Sequence, residues 1–293
     1  MRERSSGYRI FTVFNYIILT SIAIACLYPF YFVVIASISD PDELMRHGGL
    51  LLKPLGDLTM AGYGMVFKNN LVLSGFGNTF LILFVGLIFN LVLTVLGAYV
   101  LSIRELMLRK SLTILVIVTM YFSGGLIPTY LNLKELGMLN SVWSLILPGA
   151  ITTSNLIIMR SAFMAVPESL SEAARIDGAN HIQILSKIMF PLVKATLAVM
   201  VLYYAVSHWN AWFNASIYLR TPSKYPLQLV LRNILVESQM GGMMQDIGAA
   251  RTPQVQQLLK YALIVVSSLP IICIYPFLQR FFQKGVMLGA VKG

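Results

Sequence analysis

Charge is what this sequence has little of. Only 12% of its 293 residues are Asp, Glu, Lys or Arg, roughly half the share of an ordinary soluble domain. Acidic residues are the scarcer sign, 12 against 22 Lys and Arg, and there are 3 histidines and 2 cysteines. So few charges exclude the solvated surface of a water-soluble fold of this length. Cys26 and Cys273 lie inside apolar runs without metal-spaced neighbours, so they imply neither a disulfide framework nor a zinc site and leave the redox compartment open. His47 and His181 fall between runs and also lack such companions. No GxxxxGK[ST] phosphate loop, HExxH or GxSxG occurs, and Lys284-Gly285 has the Gly-Lys order reversed. ATP hydrolysis and membrane-embedded hydrolase chemistry therefore have no site in this chain.

What the sequence does have is apolar length: 57% hydrophobic residues and a mean hydropathy of +0.75. A bilayer core about 30 Å thick needs roughly 20 apolar residues per helix. Six runs meet that length: Ile10 to Ile38, Phe76 to Ile103, Ser111 to Tyr130, Val142 to Phe163, Leu192 to Trp212 and Leu258 to Phe281. None alternates with period two, so the runs predict helices rather than barrel strands, and the fold class is all-α with six transmembrane helices. The first run, preceded by Arg2, Arg4 and Arg9, also has the look of a secretory signal, with Ala23-Ile24-Ala25-Cys26 loosely resembling a lipoprotein cleavage box. A signal's apolar region is only about 7–15 residues. This run continues through Tyr28-Pro29-Phe30-Tyr31, so it is read as a retained helix.

The formal charge of +10 does not point to nucleic acid, because the basic residues form no stripe or recognised motif. They mark topology instead. Six spans put both termini on one side, with Arg2, Arg4, Arg9, Arg104, Arg109, Lys110, Arg160, Arg175, Lys187, Lys194, Arg280, Lys284 and Lys292. The positive-inside rule makes that side cytoplasmic. The expected layout is a cytoplasmic segment 1–9, a membrane domain 10–281 and a cytoplasmic tail 282–293. Outward loops include Ser39 to Gly75, with Asp40-Pro41-Asp42-Glu43, and Phe213 to Gln257, with the pliant stretch Ser238 to Met244. Loops of that length are functional or solvated, and contact with a delivered binding protein is one reading of the last.

The most informative segment, 166–191, lies between the fourth and fifth spans. Pro167 suits the first position of a helix, Glu168 its positive end, and Gly178 the left-handed residue that stops it. A second helix starts near Asn180, placing Ile182, Leu185 and Met189 on one face, and Pro191 marks the bend into the fifth span. The first helix is too short to persist alone in water. Leu170, Ala173, Ala174 and Ile176 need a covering surface, either this chain's own cytoplasmic face or another protein.

Glu172-Ala173-Ala174, then Asp177-Gly178-Ala179, then Ile188-Met189-Phe190-Pro191 resembles the EAA loop of ATP-binding-cassette importer permeases. The likeness extends to Asn78-Thr79, Gly97-Ala98-Tyr99, Leu145 to Ala150, Trp209-Asn210 and the tail Gly289 to Gly293. It points to the sugar-importer branch, that of the second membrane subunit of the maltose transporter, with the type I importer fold. Tyr225-Pro226-Leu227-Gln228-Leu229 resembles the subgroup importing complex oligosaccharides such as alginate. Departures are Phe190 where the family often has Leu, Leu185 near an expected aromatic, and Ala195 in place of proline, each an apolar change at a helix face or bend.

The resemblance implies a permease subunit in the bacterial inner membrane that moves a sugar or oligosaccharide by alternating access. Implied partners are a second permease subunit, two ATP-binding subunits and an extracytoplasmic solute-binding protein. This chain would hold no cofactor, ATP and Mg being bound by the partner ATPase. Glu172, Ala173, Ala174, Arg175, Asp177 and Gly178 would form the coupling helix, with Arg175 meeting acidic groups on the ATPase. Tyr203, Tyr204 and Ser207 in the fifth span offer aromatic and polar groups for a sugar pathway, or the tyrosines join Trp209 and Trp212 in an interfacial belt. His208 reads as a hydrogen-bonded residue near the outer end of that helix. The alternative, an ion-coupled carrier of small polar solutes, would bring buried carboxylates into the spans; the six runs contain none.

Overall fold

In a computed structural model of the chain, residues 6–241 and 253–290 are described, and all of their regular structure is helical. The helices are α1 (Ser6–Ser37), α2 (Pro41–Arg46), α3 (Ala61–Lys68), α4 (Asn70–Ser102), α5 (Arg109–Tyr121), α6 (Leu126–Glu135), α7 (Trp143–Ile146), α8 (Thr153–Met164) and α9 (Glu168–Ile176). They continue as α10 (His181–Gln183), α11 (Phe190–Leu192), α12 (Lys194–Trp209), α13 (Trp212–Tyr218), α14 (Leu227–Gly241) and α15 (Pro253–Ala290).

Three of the six expected spans are single helices long and apolar enough to cross a membrane: residues within α1, α4 and α15. α4, with 33 residues, is about 50 Å long at 1.5 Å per residue and overshoots a hydrocarbon core of about 30 Å. The other three are broken. α5 and α6 meet at 110°, α7 with its following turn meets α8 at 51°, and the segment His181–Leu192 meets α12 at 86°. The breaks fall where the backbone is set to turn: Gly125 has φ 87, Pro148-Gly149 sit in a 3-10 turn, and Val193 leaves helical geometry two residues after Pro191. The last helix begins before the expected Leu258 and continues through the expected tail to Ala290. α14 likewise takes in part of the expected outward loop, including Ser238 to Gly241; Gly242, Met243 and Met244 lie outside the described residues.

The chain divides into two compact units, Met1–Asn70 with Asn233–Leu269, and Leu71–Arg232 with Pro270–Gly293. In the first, Leu44 and Leu51 pack around Ala36 of α1. The Leu51 N–H donates to the Tyr28 hydroxyl (2.9 Å), and Tyr31 donates to the Leu52 carbonyl (2.7 Å). Asp40 caps α2 by accepting from the N–H groups of Asp42 and Glu43. The Tyr8 to Leu27 stretch of α1 stays exposed.

The second unit is organised by α4. Its buried stripe is rich in small and polar residues, with Val72, Gly75, Thr79, Ile82, Gly86, Asn90, Thr94 and Ala98 recurring at three- and four-residue steps. Phe84 and Ile88 point outward. That pattern suits lipid, where small residues let helices approach and polar groups bond between them. A Cβ on Gly86 would stand 2.6 Å from His208 Nε2, so α12 reaches α4 only because this residue is glycine.

Candidate coupling site and the polar contacts beneath it

The segment 166–191 folds as helix, turn, helix. Pro167 is non-helical (ψ 129) and precedes α9 by one position, so Glu168 rather than the proline opens the helix. At the other end the Ala179 N–H donates to the Ala174 carbonyl (2.8 Å) and the Gly178 N–H to that of Arg175 (3.0 Å). Those two bonds form a Schellman stop, with Gly178 at φ +83 in the left-handed region. Asn180 then starts the next helix with a reciprocal cap: it accepts from the Gln183 N–H, and the Gln183 side chain accepts from the Asn180 N–H, both at 2.9 Å.

From Ile184 to Met189 the helix widens to π geometry. The five-residue step brings Ile184 and Met189 inward together. The expected face of Ile182, Leu185 and Met189 is therefore corrected: Ile182 is 77% exposed, because a π turn shifts the buried stripe off the α period.

α9 has two faces. Ser171 and Ala174 are buried, and Ala174 joins the core formed by Ala98, Tyr99, Phe163, Ile184 and Met189. Glu172, Ala173, Asp177 and Gly178 are exposed, and Ile176 is 87% exposed. The Glu172-Ala173-Ala174 triplet is thus split, its first two members outward and its third against the chain itself. The chain's own core covers one side of this helix, and the other side is exposed. Arg175 does not wait for an acidic partner elsewhere: its Nη1 donates to Glu105 Oε1 at 2.7 Å. This bond holds the Glu105 carboxyl below the usual carboxylate range and keeps Arg175 more firmly protonated.

Deeper in the same unit, α4 ties together the broken fourth span and α12. Asn90 Nδ2 donates to the carbonyls of Gly149 (2.7 Å) and Ala150 (2.9 Å), and its Oδ1 accepts from His208 Nε2 (2.7 Å). Tyr204 shares a 2.7 Å hydrogen bond with Thr94 and accepts from the Thr152 N–H at 3.1 Å. The break between α7 and α8 frees backbone groups that water cannot satisfy within a bilayer, and these two side chains satisfy them.

The three pathway candidates separate accordingly. Tyr203 and Ser207, four residues apart, are exposed on one face of α12, while Tyr204 is only 2% exposed and faces the chain's own core. Glu105 and Asn90 have no part in the sequence analysis, which takes Arg104 only as topological charge and Tyr99, whose hydroxyl lies 3.2 Å from His181 Nδ1, only as part of Gly97-Ala98-Tyr99. The adjacent opposite charges of Arg104 and Glu105, on a short connection between apolar runs, were the one available sign.

Together these features define a class, a helical membrane protein with a short helix closed by a fixed turn between its fourth and fifth apolar segments. No protein-family model matches the chain. It is 39% identical over 286 residues to the polygalacturonan/rhamnogalacturonan transport system permease protein YtcP of Bacillus subtilis (strain 168), covering 97% of this chain and 99% of that one. Protein LplC of the same organism is 38% identical over 293 residues, 100% of this chain and 98% of the other. Among solved structures, that of a bacterial ABC transporter involved in the import of the acidic polysaccharide alginate matches with a TM-score of 0.86 at 32% identity, covering 96% of this chain and 100% of that one. The chain belongs to the sugar-importing permease subunits of ATP-binding-cassette transporters.

Proposed function

We propose that this chain is one membrane subunit of an importer for acidic oligosaccharides, crossing the membrane six times with both termini in the cytoplasm. A second permease chain completes the pathway, a binding protein delivers the sugar, and separate ATPase subunits bind ATP and Mg and carry out hydrolysis. The observation that carries the reading is α9, whose exposed Glu172, Ala173, Ile176 and Asp177 form a ridge, small at Ala173, held by a fixed turn at Gly178. Small side chains allow a close approach, and a carboxylate that loses water at such a contact needs a polar partner there. Glu172 meets the ATPase, and Asp177 and Gly178 fix the angle. Ala174 and Arg175 act from the inner side by seating the helix. Tyr203 and Ser207 line the sugar path, and Tyr204 anchors α12 behind them. The acidic substrate class is supported by the polygalacturonan and alginate systems to which the chain is similar.

The test is copurification of the tagged chain from membranes together with uptake by the reconstituted transporter. Wild type is expected to bring down an ATPase and a second permease. It should import an oligogalacturonide in preference to a neutral maltodextrin. The variant Glu172→Lys with Gly178→Leu is expected to insert but to lose the ATPase. Absence of any ATPase from wild type would remove the importer reading, and equal uptake of the neutral sugar would remove the acidic substrate class.

A further inference from the structure

The hydrogen-bonded turn at Gly178 holds the C-terminal end of α9, while at the other end Pro167 provides no side-chain cap. The connection between α4 and α5 adds a contact at each end. Arg104 Nη1 lies 2.8 Å from Glu168 Oε2, and Arg175 Nη1 lies 2.7 Å from Glu105 Oε1. Glu168 and Arg175 stand at opposite ends of a nine-residue helix, about 10 Å apart at 1.5 Å per residue. One tether would leave the helix free to swing; two separated tethers fix its orientation.

The signs also suit the helix, a carboxylate at its positive end and a cation at its negative end, each met by the opposite charge from two consecutive residues. Packing holds α9 at Ala174, and beside that contact the fit is looser. Beneath α9 lies a cavity of about 50 Å³ bordered by Tyr99, Ser102, Arg104, Glu105, Glu168 and Arg175. The Ser171 hydroxyl, which also borders it, is buried without a hydrogen-bond partner. Across that gap the ion pairs are the restraint. Further contacts from the same end of α4 hold the neighbouring elements: Tyr99 reaches His181, and Arg160 Nε donates to the Leu101 carbonyl at 3.0 Å.

We propose that the connection between α4 and α5 is the second arm of the coupling device, in which Arg104 and Glu105 are positioning residues that make α9 move with α4 as one body. The proposal rests on the reading of α9 as the ATPase-docking helix. The ion pairs set alignment, so their loss changes how much sugar is moved per ATP hydrolysed and leaves subunit assembly intact.

The experiment uses the complete transporter in proteoliposomes, with sugar imported per ATP hydrolysed as the readout and copurified ATPase as the control. Glu105→Arg and Arg175→Glu are each expected to lower that ratio about fivefold or more, the low end of ordinary site-to-site coupling, with the ATPase retained. The double variant that exchanges the two charges is expected to recover most of the ratio. A second arm replaces Cys26 and Cys273 by Ser and introduces Arg104→Cys with Glu168→Cys, bridged by a short bis-maleimide. If the two parts move as one body, the bridged transporter remains coupled. Wild-type ratios in both single variants, no recovery in the exchanged pair, loss of the ATPase from Arg175→Glu, or arrest by the bridge would each overturn the proposal. Failure of the importer reading is distinct, since it appears in wild type as a missing ATPase.

Discussion

At the scale of single residues, Tyr203 and Tyr204 show how neighbouring identical side chains take different work from helix geometry alone. Successive positions on a helix point about 100° apart, so one tyrosine faces outward and the next is buried against Thr94 and Thr152. Tyr204→Phe takes a hydrogen-bond partner from the fully buried Thr94 hydroxyl, at a cost of about 1–3 kcal/mol. The expected outcome is a lower unfolding temperature in detergent for Tyr204→Phe and an unchanged one for Tyr203→Phe, which should reduce uptake instead. Equal thermal stability of the two variants would count against Tyr204 as the anchor of α12.

At the scale of elements, α9 combines a face seated on its own chain with an exposed face, and its pairing with Glu105 gives it a definite pH response. The Glu105 carboxyl is lowered first by the hydrogen bond from Arg175, with the Arg175 and His181 charges adding in the same direction. A carboxylate with a depressed pKa contributes its interaction fully above its ordinary pKa and loses it as pH falls through the depressed value. The pair therefore stays intact across neutral pH and is lost only on the acid side of the usual carboxylate range. Sugar moved per ATP, compared between wild type and Glu105→Gln, should show a constant wild-type advantage from about pH 8 to about pH 6. An advantage that vanished over that interval would count against the Glu105–Arg175 pair as its source.

At the scale of the whole molecule, the chain is similar over nearly its full length to a transport-system permease subunit. It has no phosphate loop, and among the described residues no group of three His, Cys, Asp or Glu could hold a metal ion. The purified chain alone is expected to hydrolyse no ATP, with hydrolysis returning when the ATPase is added back. Activity in the isolated chain, checked by phosphate release, would contradict the division of labour among subunits.

The sequence by itself determined the helical membrane class, because long apolar runs have only one way to satisfy their backbone in lipid. It also determined the turn at Gly178, since a left-handed residue between two capped helices is a local demand that neighbouring residues express. The breaks near Gly125 and after Pro148 had local signals too, in Gly124-Gly125 and Pro148-Gly149, but the length of the apolar runs concealed them. Tertiary structure decided the rest. α4 has no charged face of the kind that marks a soluble helix; small and polar residues mark its buried stripe, and the packing of α12 against Gly86 decides what covers it. The same holds for Ala174 turning inward beside an exposed Ala173, and for Glu105 meeting Arg175 seventy positions away. Local rules act over one or two helical turns, whereas these pairings exist only once separate helices have come together.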